Sequence, residues 1–362
     1  MTSYRNLKTL PKAHLHIHLE GAMRPTTLTQ LCKKYNLERP EDTRGEQFNN
    51  FGGFNSVYRS ACESIRTKED LSRVILEVAE DAAAEGVIWI EPAFDADRYS
   101  VMRNTNSYKI FNTPEEGWKF ALQAAEDAGN KTGVGIGFIS AIDRTQSIDL
   151  GIKRAELTAK IVRSKKHFIK SGMAFFNSDY AGIIGIGLHG NEEGFPPELF
   201  KQAFNIALHD TELLSVPHAG EIAPFPNKGP ESVANAVDIL RADRIQHGVL
   251  AVEDAELVAR LAADQICLDI CPSSNIQLSV FPEMGSHPLP ALIQAGVMCS
   301  IGSDDPLLFG PSLLDEYSIC RKEMRLNDEI IAQLAHNSFA YSGAPPEVKH
   351  FGYAQIKKWL NG

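Results

Sequence analysis

The sequence predicts an α/β chain closed into a (β/α)₈ TIM barrel, with extra helices over the C-terminal rim of the strands. Three observations lead there. Short β-type runs alternate with longer helical patterns from the N-terminus to about residue 310, the runs number eight, and no Ser/Gly/Pro-rich linker separates two halves. Strands that alternate with helices pair in parallel through crossovers, and eight such units close the sheet on itself. Barrels of this kind commonly exceed about 200 residues as one unit, so residues 1–362 read as a single domain.

The strand candidates are Ala13–His18, Val87–Phe94, Val134–Ser140, Ile183–Leu188, Leu214–His218, Arg244–His247, Ile266–Ile270 and Met298–Ser303. Helical stripes lie between them. Leu71, Val74, Ile75, Val78, Ala79 and Ala82 recur at helical spacing and are stopped by Gly86 before the second strand. Leu199, Phe200, Ala203, Phe204, Ala207 and Leu208 form another stripe, and Val233, Ala236, Val237 and Leu240 a third. Three segments exceed a minimal barrel. Residues 40–56, polar and then rich in Gly and Phe, read as a cover over a site through Phe51 and Phe54, or as aromatics packing a helix. Residues 95–116 are a polar excursion after the second strand, and the tail from Leu314 reads as closing helices.

Bulk properties exclude several function classes. A net charge of −10 argues against a nucleic-acid backbone as the main partner, because that affinity rests on clustered Lys and Arg. The six cysteines are sparse and form no C-x-x-C pair, so reduced, buried thiols in a cytoplasmic protein are expected. Met1–Leu10 carries Arg5 and Lys8 without an apolar core, and no run approaches a membrane span, so neither secretion signal nor membrane partner is expected.

The residues suited to chemistry fall at the predicted strand ends. Strand one ends His16-Ile17-His18, whose imidazoles share a face because side chains at i and i+2 do. Strand five ends His218-Ala219-Gly220-Glu221, strand six ends His247-Gly248, and strand eight ends Asp304-Asp305-Pro306. In a barrel these ends meet on one rim, where the active sites of the architecture lie. Each feature alone has a plainer reading: a strand-end His is commonly structural, and Asp-Asp-Pro is a turn signal. His14 reads as interior packing or support for the pair beyond it, and His167, His209, His336 and His350 have no supporting context. The combination points to chemistry.

Three neutral imidazoles and one carboxylate suit Zn²⁺, so His16, His18, His218 and Asp304 are the expected ligands of one ion per chain. An open position on such an ion lowers the pKa of water toward about 7. Glu221 could deliver a proton to a substrate ring, His247 could hold or deprotonate the water, and Asp305 could hydrogen-bond the ring or the leaving group.

The run Leu10-Pro11-Lys12-Ala13-His14-Leu15-His16-Ile17-His18-Leu19-Glu20-Gly21, continuing Met23-Arg24-Pro25-Thr26-Thr27-Leu28, resembles the opening of the adenosine and adenine deaminase family. His218-Ala219-Gly220-Glu221, Arg244-Ile245-Gln246-His247-Gly248, Cys271-Pro272-Ser273-Ser274-Asn275, His287-Pro288 and Ser303-Asp304-Asp305-Pro306-Leu307 resemble its other signatures in order, from about residue 8 to 345. The resemblance implies a metal-dependent hydrolase that deaminates a 6-aminopurine. It carries over His16, His18, His218 and Asp304 as zinc ligands, Glu221 as proton donor to purine N1 and His247 as the residue orienting the attacking water. Asp305 becomes the partner of N7, and Gly190 a backbone donor to N3. His18 and Glu20 then join Gly190 and Asp305 in contacting a small-molecule purine.

Glu20 stands where adenosine-specific members usually carry Asp against the ribose 5′-hydroxyl, and adenine-specific relatives often carry Glu. Arg24–Thr27, Asp305–Phe309 and Gly190 resemble the nucleoside enzymes more closely. The expected reaction is adenosine to inosine plus ammonia. The alternatives are adenine to hypoxanthine or a modified nucleoside such as aminodeoxyfutalosine, and the non-enzyme alternative is an inactive purine-binding relative. A binuclear amidohydrolase would need a bridging Lys near the end of strand four, where Gly187-Leu188-His189-Gly190 offers none. A cytidine-deaminase type of zinc site would need a Pro-Cys-x-x-Cys, which is absent.

Overall fold

In the computed structural model the described residues are 4–48, 51–100, 108–222 and 229–362, with the side chains of 51 and 52 left out. Eight parallel strands run in chain order: β1 (Lys12–His18), β2 (Val87–Phe94), β3 (Phe138–Asp143), β4 (Ile183–His189), β5 (Leu214–Ala219), β6 (Arg244–His247), β7 (Cys267–Ile270) and β8 (Met298–Ile301). Each is hydrogen-bonded to the next, as in Cys267↔Met298 and Leu268↔Cys299 between β7 and β8. The ring closes where Ile17 of β1 bridges Asp304, just beyond β8. The architecture is the expected (β/α)₈ barrel.

Local chemistry explains the helices. Lys68–Ala84 starts at a capping box in which Thr67 and Asp70 satisfy each other's backbone N–H groups, and its expected stripe of Leu71, Val74, Ile75, Val78, Ala79 and Ala82 is buried. Gly86 follows at φ +80, where a Cβ would lie 2.2 Å from the Lys8 carbonyl oxygen, so only glycine turns the chain into β2 there. The helix Pro114–Thr132 begins at an N-capping Thr113 and ends at left-handed Gly133. In the second stripe Phe200, Ala203, Phe204 and Ala207 are buried, while Leu199 is exposed. Past the barrel, Asp328–Ala340 is tied to the seam: Asn337 donates to the Cys299 carbonyl at 2.9 Å, and Ser338 Oγ accepts the Ala13 N–H at 3.0 Å.

Two details depart from the expected elements. The run Val134–Ser140 is broken, with a short piece at Gly135–Ile136 and β3 resuming at Phe138; Gly137 stands at the break, where a Cβ would lie 2.7 Å from Trp89 and 2.9 Å from Ile184. A small antiparallel pair, Phe168–Lys170 with Asp179–Ala181, precedes β4. The polar excursion at 95–116 contains a short helical turn, Ala96–Tyr99, and its residues 101–107 lie outside the described residues. All six cysteines are buried thiols. No helix among the described residues is long and apolar enough to cross a membrane.

Toward the strand starts the interior holds a fully buried ion network. The Arg244 guanidinium pairs with Glu91, donates to Asp269 Oδ2 at 2.7 Å and donates to the Tyr341 carbonyl at 2.8 Å. Glu91 also accepts from Trp89 Nε1 at 2.7 Å and from the Gly343 N–H at 2.6 Å. Such charges are tolerated in a dry interior only when every partner is present. Glu91→Ala is expected to lower the unfolding free energy by about 3–5 kcal/mol in a urea titration, because it strands a buried cation; a loss below about 1 kcal/mol would show that Arg244 needs no carboxylate from β2.

Candidate active site

The strand ends of β1, β5, β6 and β8 bring the expected side chains to one place. One ligand atom each from His16, His18, His218 and Asp304 lies within 4.8 Å of all the others, and all four residues are buried. The separations are 3.2 Å between His16 Nε2 and His218 Nε2, 3.4 Å between His16 Nε2 and Asp304 Oδ1, and 3.2 Å between His18 Nε2 and Asp304 Oδ1. Metal–nitrogen and metal–oxygen bonds of about 2.0–2.1 Å in a tetrahedron put ligand atoms about 3.3–3.4 Å apart. The donor set therefore fits a divalent ion in spacing as well as in type.

Surrounding contacts orient these donors. His16 Nδ1 lies 2.9 Å from the Asp269 carbonyl oxygen and must donate to it, leaving a bare lone pair at Nε2 facing the cluster. Burial and the neighbouring rings of His16, His18 and His247 hold His218 well below the ordinary histidine range, as a neutral ligand must be. Asp304, though burial acts to raise it, is held well below the usual carboxylate range by His16, His18 and His247. A second overlapping group joins His16, His247 and Asp304 to Cys271, but burial pushes the Cys271 thiol far up, away from the thiolate that a metal requires. His14 lies deeper and acts as support, its Nε2 accepting the Ser303 N–H at 3.1 Å. His189, at the end of β4, packs its ring 5.7 Å from that of His18 and stands outside the four-residue group.

Acid–base groups flank the cluster. His247 Nε2 lies 3.4 Å from Glu221 Oε1 and 3.6 Å from Asp304 Oδ2. Burial, with Asp304 and then Glu192 nearby, raises Glu221 well above the usual carboxylate range, and burial with Asp304 and Glu221 nearby does the same to Asp305. Asp305 Oδ1 is buried without a hydrogen-bond partner, beside Gly21, where a Cβ would come within 1.5 Å of that oxygen. His247 and Asp304 both have left-handed backbones, at φ 65 and 59, uncommon for residues other than glycine and concentrated at functional sites. Gly190 follows β4 at φ 92.

Some participants had no signal in the sequence beyond a motif. The turn Cys271–Asn275, noted only as a resemblance, places Ser274 Oγ as a donor to Asp304 Oδ2 at 2.7 Å. From the same turn Asn275 Nδ2 sits 3.3 Å from His247 Nδ1. A directional chain sets these protons: the Leu289 N–H donates to His287 Nδ1 at 3.2 Å, so His287 Nε2 donates to Asn275 Oδ1 at 3.1 Å, and the Asn275 amide donates to His247 Nδ1. Neutral His247 is thereby fixed with its proton on Nε2, facing the cluster. Glu20, two residues past His18, is buried under Tyr99 and Tyr58, which donate to its carboxylate at 2.7 and 3.2 Å.

Of the segment 40–56, residues 49 and 50 and the Phe51 side chain lie outside the described residues. The rest docks on the rim: Phe48 N–H donates to the Gln277 carbonyl at 2.7 Å, and Phe54, on the helix Phe51–Ser64, is buried and stacks on Phe309 at 5.3 Å between centroids. Phe54 packs this helix against Phe309, and Tyr58 of the same helix reaches Glu20.

Comparison with known proteins places the chain in a family. The sequence pattern of the adenosine deaminase family matches residues 11–359. A Streptomyces coelicolor protein provisionally named adenosine/adenine deaminase is 34% identical, over 99% of each chain. An adenine deaminase of Ectopseudomonas mendocina is 32% identical, over 92% of this chain and 98% of its own. The crystal structure of an adenine deaminase from Arthrobacter aurescens superimposes with a TM-score of 0.82 at 26% identity, covering 97% of this chain and 99% of that one. If the four-residue cluster is the metal site, Asp304→Ala should be purified with far less bound metal than the unaltered protein, read by mass spectrometry; full retention would place the metal elsewhere.

Proposed function

The chain belongs to the adenosine deaminase family of hydrolytic deaminases acting on adenine-like purines, and on that premise we propose that it converts free adenine to hypoxanthine and ammonia, in place of the adenosine expected from the sequence. The observation that carries the choice is Glu20. Both its oxygens already accept from tyrosine hydroxyls, that of the buried Tyr99 and that of the half-buried Tyr58. Each carboxylate oxygen keeps a second lone pair beyond its tyrosine bond, open to one further donor. Free adenine carries an N9–H that can fill that place, a donor a nucleoside lacks.

We assign one zinc ion to His16, His18, His218 and Asp304; when bound, it would lower the pKa of a water toward about 7 and so supply the nucleophile. The protein's own groups do the rest within the one barrel. Glu221, kept protonated by its buried surroundings, donates to ring N1 and removes the aromatic resistance to attack at C6. Asp305, also held in its acid form, donates to N7, and the backbone N–H of Gly190 serves N3. His247 presents its Nε2–H and orients the attacking oxygen by donating to it, which favours the holding role over deprotonation. The C6–O bond forms, the C6–N bond breaks, and one water is consumed for each ammonia released.

Glu221→Gln keeps the size of the side chain and removes the acidic proton, so kcat should fall by at least about 10²-fold with metal content unchanged; turnover like that of the unaltered protein would remove Glu221 from the reaction. In an ammonia-release assay, kcat/KM for adenine should exceed that for adenosine by at least about 10²-fold. Equal or faster release from adenosine would return the substrate to the nucleoside class.

A further inference from the structure

The turn that carries both His218 and Glu221 is held from outside by a carboxylate that the reaction does not use. Glu192, three residues beyond β4, is almost fully buried. Its Oε1 accepts the Gly220 N–H at 2.9 Å, and its Oε2 accepts the N–H groups of Glu221 at 3.1 Å and Ile222 at 3.2 Å. The Ser232 hydroxyl donates to Oε1 as well. Three successive backbone N–H groups thus wrap one carboxylate, an anion nest with the anion supplied by the chain itself. On the other side Arg144, fully buried at the end of β3, donates to the His218 carbonyl at 2.6 Å and lies 3.8 Å from Glu192 Oε1. Gly220 makes the wrap possible at φ 61, where a Cβ would strike Val233 at 2.4 Å.

We infer that Glu192 is a positioning residue, whose carboxylate fixes the His218–Ile222 turn and so aims the Glu221 side chain at the substrate ring. The reach is direct: the bond from Glu192 ends on the amide nitrogen of Glu221, so a shift of that peptide displaces the acid group. Arg144 balances the charge and pins the other end of the turn at His218. Displacements of about 1 Å at a reacting group cost on the order of 10²-fold in rate, so a clamp of this kind has a kinetic signature. The proposal rests on Glu221 being the proton donor.

A double-mutant cycle tests it. Glu192→Gln leaves one acceptor oxygen where the nest needs two, and kcat should fall about 30-fold with KM for adenine changed less than about 3-fold and metal content intact. In the Glu221→Gln background the same change should cost less than about 3-fold more, because the group being aimed is already disabled. An equal loss in both backgrounds, or a Glu192→Gln enzyme within about 3-fold of the unaltered kcat, would overturn the clamp. Should Glu192→Gln not fold, Ser232→Ala removes one donor to the same oxygen, and it should show a smaller kcat loss that also vanishes in the Glu221→Gln background. If Glu221→Gln alone is fully active, the proton-donor reading falls and takes the clamp with it, a result distinct from additivity.

Discussion

The peptide groups of Asp304 hydrogen-bond to β1 on both sides, its N–H to the His16 carbonyl and its carbonyl to the His18 N–H, each at 3.1 Å. Those two bonds close the barrel. The carboxylate of the same residue lies 3.2 to 3.4 Å from the imidazoles of the same two histidines. Barrel closure and assembly of the donor cluster are therefore one event, because the strand that completes the ring also delivers the carboxylate. The helix Asp328–Ala340, bonded to Cys299 and Ala13, braces that seam from outside.

Three carboxyl groups crowd this rim, and their surroundings separate them. Asp304 faces imidazoles and is pushed below the usual carboxylate range; Asp305 and Glu221 face burial and other carboxylates and are pushed above it. Adjacent residues with the same side chain, Asp304 and Asp305, are thus shifted in opposite directions. Divergent pKa values in one pocket are how a single site can hold a cation and donate protons to a ring at the same pH. The chain from Leu289 through His287 and Asn275 does for His247 what the Asp269 carbonyl does for His16, fixing which ring nitrogen carries the proton.

The barrel was legible because its signals are periodic. All eight strand runs reappear, most within one or two residues, since alternating apolar runs bounded by glycine and helical stripes have few other uses. The short antiparallel pair before β4 was not, because three-residue strands are below what a pattern can carry. At the site, side chains sharing a motif were legible and long-range partners were not. His16 and His18 announce themselves by spacing, whereas Tyr58 and Tyr99 lie 38 and 79 residues from the Glu20 they cover. The cover segment offered two readings in the sequence, and the stacking of Phe54 on Phe309 favours helix packing. The preference between base and nucleoside turned on the Glu20 surroundings, which no linear pattern encodes.

The left-handed backbones of His247 and Asp304 restrict what evolution or an engineer can try at this rim. Left-handed geometry costs an L-residue roughly 1–2 kcal/mol, and aspartate and asparagine tolerate it better than most. Each position is screened twice, once for the chemistry of its side chain and once for the handedness of its main chain. Asparagine at 304 would satisfy the second screen and forfeit the anion; glutamate would keep the anion in a less forgiving conformation. Accessible variation is thereby squeezed toward neighbours such as Tyr58 and Tyr99, which touch Glu20 by side chain alone and take no part in the ring closure.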